Sequence, residues 1–226
     1  MKKLFFMLVL LCMSSALYAQ NDVTKFLGIP VDGSKSEMIR ELKEKGFTIN
    51  PYDSDVLEGE FNGSDVNIFI VTTRNKVSRI MVADKNKVDE TQIRIRFNKL
   101  CEQFANNQRY YGSEDQKISE DEDISYEINV HDKQYQAIFY QTDESTLNNA
   151  QKYREELETR YSKEELENPS EDLTNEIKKI ILDLVSNSLE KMQKKPVWFT
   201  IGESYGEYNI LMYYDNEYNR ANGEDL

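Results

Sequence analysis

The sequence predicts an α+β domain in which antiparallel sheet carries helices packed on one face. Three observations point there. Short segments that alternate apolar and polar residues are joined by tight-turn signals, above all Asn62-Gly63, as antiparallel strands are. Longer segments repeat their apolar residues every three or four positions, as helices with one buried face do. The elements follow in the order α-β-β-β-α-β-β, a charged helical stretch, and β-β. Hairpins thus follow a helix twice, which suggests two α-β-β-β-type halves with a helical insertion at 143–195 in the second.

Taken in order, the first helix is read at 35–45. Ser34 and Glu37 have the spacing of a capping box, Met38, Ile39 and Leu42 share a face, and Gly46-Phe47 fit a Schellman ending. A meander follows. Val56–Phe61 and Asp65–Thr73 flank Asn62-Gly63, and a two-residue turn sets Gly59 opposite Val66 and Leu57 opposite Ile68. The next strand is read at 77–83; a three-residue loop, Arg74-Asn75-Lys76, would bring Ile70 opposite Ile80 and Ile68 opposite Val82. Asp89 and Gln92 cap a second helix with the stripe Ile93, Phe97, Leu100, Cys101 and Phe104.

Beyond the acidic loop Ser119–Asp123, Ile124, Tyr126, Ile128 and Val130 alternate as in a strand. Tyr135, Ala137 and Phe139 would form its hairpin partner across a His131-Asp132 turn. The insertion reads as two charged helical stretches, the first with Leu147, Ala150, Leu157 and Tyr161. The second starts at Asn168 as N-cap with Pro169 at N1, and carries the stripe Leu173, Ile177, Ile180, Ile181, Leu184, Val185 and Met192. Lys191, Lys194 and Lys195 complement its C-terminal dipole. A tyrosine-rich hairpin, 197–202 with 207–214, closes the fold, and the polar tail from Asn216 onward is expected to be loose.

Residues 1–19 read as a cleavable export signal. Lys2 and Lys3 precede the apolar run Leu4–Leu11, which is too short to span a bilayer, and small residues lead to a cut after Ala19 or, alternatively, after Ala16. Cys12 follows Leu11, where lipoprotein processing needs a small residue. Export implies a periplasmic or extracellular chain of one domain, residues 20–226, with no transmembrane segment. Losing Lys2 and Lys3 leaves 26 of the 28 basic side chains against 41 acidic ones. Such a surface repels nucleic-acid phosphates and anionic headgroups. Cys101 is then without an intramolecular disulfide partner and reads as a small core residue.

The chemistry-bearing motifs are few. Gly202-Glu203-Ser204-Tyr205-Gly206 fits G-x-S-x-G, but a strand follows where the nucleophile elbow needs a helix, and the one histidine, His131, precedes the serine. One histidine also removes zinc sites built from several His or Cys ligands. There is no glycine-rich phosphate loop. The oxygen-rich loops Asp53-Ser54-Asp55, Glu120–Asp123 and Asp215-Asn216-Glu217 lack the spacing of a calcium loop.

The positive signal is aromatic. If Val197, Phe199 and Ile201 face the helices, Trp198 faces away, and the partner strand separates Ile210, Met212 and Tyr214 from Leu211 and Tyr213. Trp198, Leu211 and Tyr213 then form either a ligand-binding patch or a face buried by the inserted helices.

Two stretches carry a resemblance. Phe26-Leu27-Gly28-Ile29-Pro30-Val31-Asp32-Gly33-Ser34, with Lys45-Gly46-Phe47 after a short helix, and Tyr213-Tyr214-Asp215-Asn216-Glu217-Tyr218-Asn219 with the closing Asn222-Gly223-Glu224-Asp225-Leu226, resemble small secreted proteins of gut Bacteroidota. The resemblance implies a fold similar to tandem α-β-β-β modules of the beta-lactamase-inhibitor-protein and outer-membrane-assembly lipoprotein type, from which 143–195 departs. It implies no activity and no site residues. The sequence as a whole points to a secreted or periplasmic non-enzymatic binding module, without cofactor, for a protein or glycan of the cell envelope. The alternatives are a small envelope hydrolase using paired carboxylates and a structural envelope protein.

Overall fold

The computed structural model describes residues 22–113, 115–142 and 144–221, with the side chains of 144–150 excepted. The expected export signal at 1–19, Cys12, the side chains of Leu147 and Ala150, and the closing Asn222–Leu226 lie outside the described residues. A two-stranded ribbon, β1 (Lys25–Phe26) and β2 (Ile29–Pro30), precedes α1 (Lys35–Glu44). Then come β3 (Thr48–Ile49), β4 (Val56–Phe61), β5 (Ser64–Thr73), β6 (Lys76–Asp84), α2 (Glu90–Ala105) and β7 (Tyr110–Gly112). The chain continues through α3 (Ile124–His131), β8 (Gln136–Gln141), α4 (Glu144–Arg160), α5 (Lys163–Glu167), α6 (Glu171–Gln193), β9 (Pro196–Ser204) and β10 (Glu207–Asp215).

Eight strands form one antiparallel sheet in the order β3-β4-β5-β6-β10-β9-β8-β7. That order is symmetric about its centre. Each half runs from a helix to a short edge strand and inward through three more strands, and the halves meet where Ile80 faces Tyr214 and Val82 faces Met212. Helices pack on one face, as the apolar alternation requires.

The signals at the start of the chain act as they read. Ser34 and Glu37 form the capping box, and at the far end Phe47 donates to Leu42 O while Gly46, at φ 100°, donates to Lys43 O, which completes a Schellman motif. Asn62 and Gly63 adopt φ of 52° and 74° and place Gly59 opposite Val66 and Leu57 opposite Ile68. Ile68 meets Val82 and Ile70 meets Ile80, but by another route than a three-residue loop. Arg74-Asn75 make a two-residue turn, and the ladder slips at Val71/Thr72, leaving Ser78 as the extra residue. A bulge restores the parity that a longer loop would have given. All five stripe residues of α2 are buried, and Phe97 and Phe104 meet Phe199 at ring-centroid distances of 5.0 and 5.7 Å.

Four further expectations fail. Ile124–His131 is the helix α3, not a strand: Asp123 caps it through Tyr126 N and Asp132 ends it in the left-handed region at φ 51°. An apolar residue at every second position also recurs at every fourth, so Ile124 is buried and Ile128 packs beside it, while Tyr126 and Val130 stay exposed. The strand that pairs with β8 on its outer side is β7, where Gly112 lies opposite Phe139. A Cβ at Gly112 would sit 2.4 Å from Phe139 Cδ1 and 3.0 Å from the Ile138 carbonyl. Gly112→Ala is therefore expected to lower stability by about 1–3 kcal/mol in urea denaturation.

The second failure is the start of α6. Its N-cap is Ser170, accepting from Leu173 N, two residues beyond the expected Asn168. The third is its stripe. Only Leu173 of that row is buried, whereas Ile181 and Val185 are exposed and the others half-buried. The helix lies in an excursion that leaves the β8–β9 hairpin and packs chiefly against α4. The fourth is the tail: Asn216 is buried, donates to Val31 O and accepts from Tyr218 N, while Asn219 donates to Asp32 and to Val77 O. Polar side chains here bond the Val31 carbonyl and the Asp32 side chain of the β2–α1 loop and the Val77 carbonyl of β6, so Asn216–Asn219 is built in.

Candidate functional site on the open sheet face

On the sheet face away from the helices, residues directly opposite one another on five adjacent strands form a row: Ile138, Trp198, Tyr213, Met81 and Phe69. The period of two that buries Val197, Phe199, Met212, Tyr214, Ile80 and Val82 turns every one of these five outward. Ile138 is 38% exposed and the other four are half-buried. Four inter-strand steps of about 4.8 Å carry the row across roughly 19 Å. Leu211 lies beside it, opposite Thr200 and Ala83. Trp198, Leu211 and Tyr213 thus share one face, as expected, and all three remain part-exposed.

At the middle of the row the Trp198 and Tyr213 rings stack, with centroids 4.0 Å apart and planes 17° off parallel. Arg79 lies over both, its Cζ 5.5 Å from the Trp198 ring and 4.9 Å from the Tyr213 ring. Asp215 holds the guanidinium from behind through Nε at 2.5 Å and a second nitrogen at 2.8 Å, and accepts from Trp198 Nε1 at 2.9 Å. The Asp215 side chain is 7% exposed, so the carboxylate is spent on three donors. Its hydrogen bonds raise the pKa of Arg79 above the usual guanidinium value, and burial raises that of the Tyr213 phenol. The result is a rigid aromatic plate with a cation held in place on it.

Arg79 and Asp215 escape the sequence reading. Arg79 is a charged residue in an apolar strand, a signal in itself, but its partner lies across the β6–β10 seam, which no hairpin turn specifies. The other chemistry-bearing candidates are engaged elsewhere. Ser204 ends strand β9 with Tyr205-Gly206 as the turn, and His131 bonds Glu127 at 3.0 Å and meets Tyr126 edge-on. Burial pushes the Cys101 thiol up to about 11, making it a poor nucleophile at neutral pH.

The acidic loops are engaged within the chain, in part by its cations. Asp55 pairs with Lys35, and Arg94 donates to the carbonyls of Glu120 and Glu122. Lys133 and the Tyr135 hydroxyl both donate to Glu122. Among the described residues no three His, Cys, Asp or Glu are grouped to hold a metal ion, and no helix there is long and apolar enough to cross a membrane. Compared with family models, curated proteins and solved structures, the chain matches none.

The Glu122 pairings make a pH test. Lys133 first, then Tyr135, lower the Glu122 pKa, so their stabilisation is present above the unfolded value and is lost as pH falls through the folded one. Glu122→Gln is expected to lower the urea midpoint at pH 7, and the difference from wild type should vanish near pH 2. A difference unchanged at low pH would show that charge has no part in it.

Proposed function

We propose that this chain is an exported, non-enzymatic binding module that docks a protein of the cell envelope on its open sheet face. The observation that carries this reading is the row Ile138–Trp198–Tyr213–Met81–Phe69. Its side chains stand on strands and have little rotamer freedom left to lose on binding. A protein fits better than a glycan because Arg79, Asp215 and Trp198 Nε1 bond one another, leaving few polar atoms for sugar hydroxyls. The chain's formal net charge of −13 favours a partner with a basic rim around an apolar centre.

Non-enzymatic action rests on the sequence, whose single histidine and lack of a glycine-rich phosphate loop leave few routes to catalysis. Export rests on the residues 1–19 pattern.

The test is affinity capture from envelope extract by the wild-type protein, Trp198→Ala and Ile138→Glu. A discrete protein is expected with the wild type and lost, by tenfold or more, with both variants, whose unfolding free energies should fall by no more than about 2 kcal/mol. The same recovery with all three proteins rules out this face. Recovery abolished by deglycosylating the extract would replace the protein partner with a glycan.

A further inference from the structure

We propose a second binding site, on the opposite side of the sheet, for an amphiphilic carboxylate: an alkyl chain lies in the trough between α1 and α2 and its head group reaches Lys25 and Arg109. Two cavities of about 610 and 470 Å³ lie there, each within the range of small-molecule sites. They share Leu27, Phe61, Tyr110 and Tyr214, so they form one trough that passes under the tip of the β1–β2 ribbon. Its first part is floored by Phe47, Phe104 and Met212. A hydrogen bond of 2.8 Å from Asn62 to Gln103 ties the β4–β5 turn to α2 at the rim.

The two ends differ in charge. Lys45 and Glu60 both line the first cavity. The second holds three cations: Lys195, whose ammonium is already matched by Asp22 at 2.5 Å, and Lys25 and Arg109, which have no ion-pair partner among the described residues. Surface cations such as Lys87 and Lys99 also have no ion-pair partner among the described residues; what sets Lys25 and Arg109 apart is that both line the second cavity. Two unmatched cations beside an aromatic trough suit a single anionic head on an apolar tail. A charged headgroup without a tail would leave the trough empty, and a neutral or cationic amphiphile would leave Lys25 and Arg109 unmatched.

Leu27 sits at the junction. It is 40% exposed, occupies the turn of the ribbon at φ 53°, and lines both cavities. A larger side chain there can fill the trough without entering the core.

Isothermal titration of the purified protein with dodecanoate, decanoate, dodecyltrimethylammonium and dodecyl maltoside, each below its micelle concentration, tests the site. Dodecanoate is expected to bind one-to-one, with decanoate roughly tenfold weaker for two fewer buried methylenes, and the cationic and neutral amphiphiles weaker by at least as much. Lys25→Glu/Arg109→Glu should weaken dodecanoate at least tenfold, and Leu27→Trp should abolish binding with an unchanged melting temperature. Lys163→Glu/Lys179→Glu, an equal charge change on the helical excursion, should alter it less than twofold. Trp198→Ala should leave it untouched, which separates this site from the open face. Absence of saturable dodecanoate binding overturns the proposal. So does equal binding of dodecyltrimethylammonium, or binding that ignores both the Lys25/Arg109 and Leu27 variants.

Discussion

Phe26→Ala is expected to cost about 3–5 kcal/mol of unfolding free energy in urea denaturation. Phe26 is fully buried although it belongs to a strand of two residues. Its ring meets Tyr214 edge-on at 4.8 Å, Phe61 at 5.2 Å and Phe47 at 6.5 Å. These partners come from β10, from β4 and from the end of α1, so the ribbon laces the central seam to the first half. The surrounding polar groups fix its position. Thr24, fully buried, donates from its hydroxyl to Asp215 O, Val31 N donates to Thr24 O, and Lys25 exchanges two hydrogen bonds with the Gln141 side chain. Truncation leaves a cavity that these bonds prevent from collapsing, which places the cost toward the upper part of the range. A loss below about 1 kcal/mol would mean that the ribbon unfolds outside the main cooperative unit.

The same ribbon marks where local pattern stops informing. Val23, Phe26, Ile29 and Val31 are all buried, yet their spacing of three, three and two fits neither a helix nor a strand. Tertiary packing decides each one, and a periodicity argument has nothing to count. The meander and the two main helices were legible because turn and cap chemistry is local: Asn62-Gly63, Ser34 with Glu37, and Asp89 act within a few residues of themselves. The segment 124–131 is ambiguous in sequence because its eight residues satisfy both periods. The deciding groups were its ends, Asp123 and Asp132, rather than its apolar residues.

The candidate site divides in the same way. That Trp198, Leu211 and Tyr213 share a face follows from strand parity alone. That Ile138, Met81 and Phe69 extend the row depends on β8 pairing with β9 and β6 with β10. The first of those crosses the helical excursion and the second joins strands more than a hundred residues apart. No turn encodes either register, so Arg79 and Asp215 could not be matched from sequence.

Lys195 shows how far a local rule can mislead, and it supplies the other large effect. As a lysine just after α6 it suits a helix C-terminus, but only 2% of its side chain is exposed. Its ammonium donates to Asp22 Oδ2 at 2.5 Å and to Thr142 O at 3.1 Å. The segment before β1 and the two ends of the excursion are thereby joined at one buried charge. Asp22→Ala removes the counter-charge and leaves the ammonium with a single carbonyl, at an expected cost of about 3 kcal/mol. The 35% exposure of the Asp22 side chain keeps the effect at the low end of what buried pairs show, since water can partly replace the carboxylate. Lys195→Met in the Asp22→Ala background removes the stranded charge and fills the same volume with an apolar stem. The double variant should therefore recover most of the loss and approach wild-type stability in urea denaturation. If both variants are equally destabilised, the cost lies in lost packing around residue 195, and the ion pair is not what holds the three segments together.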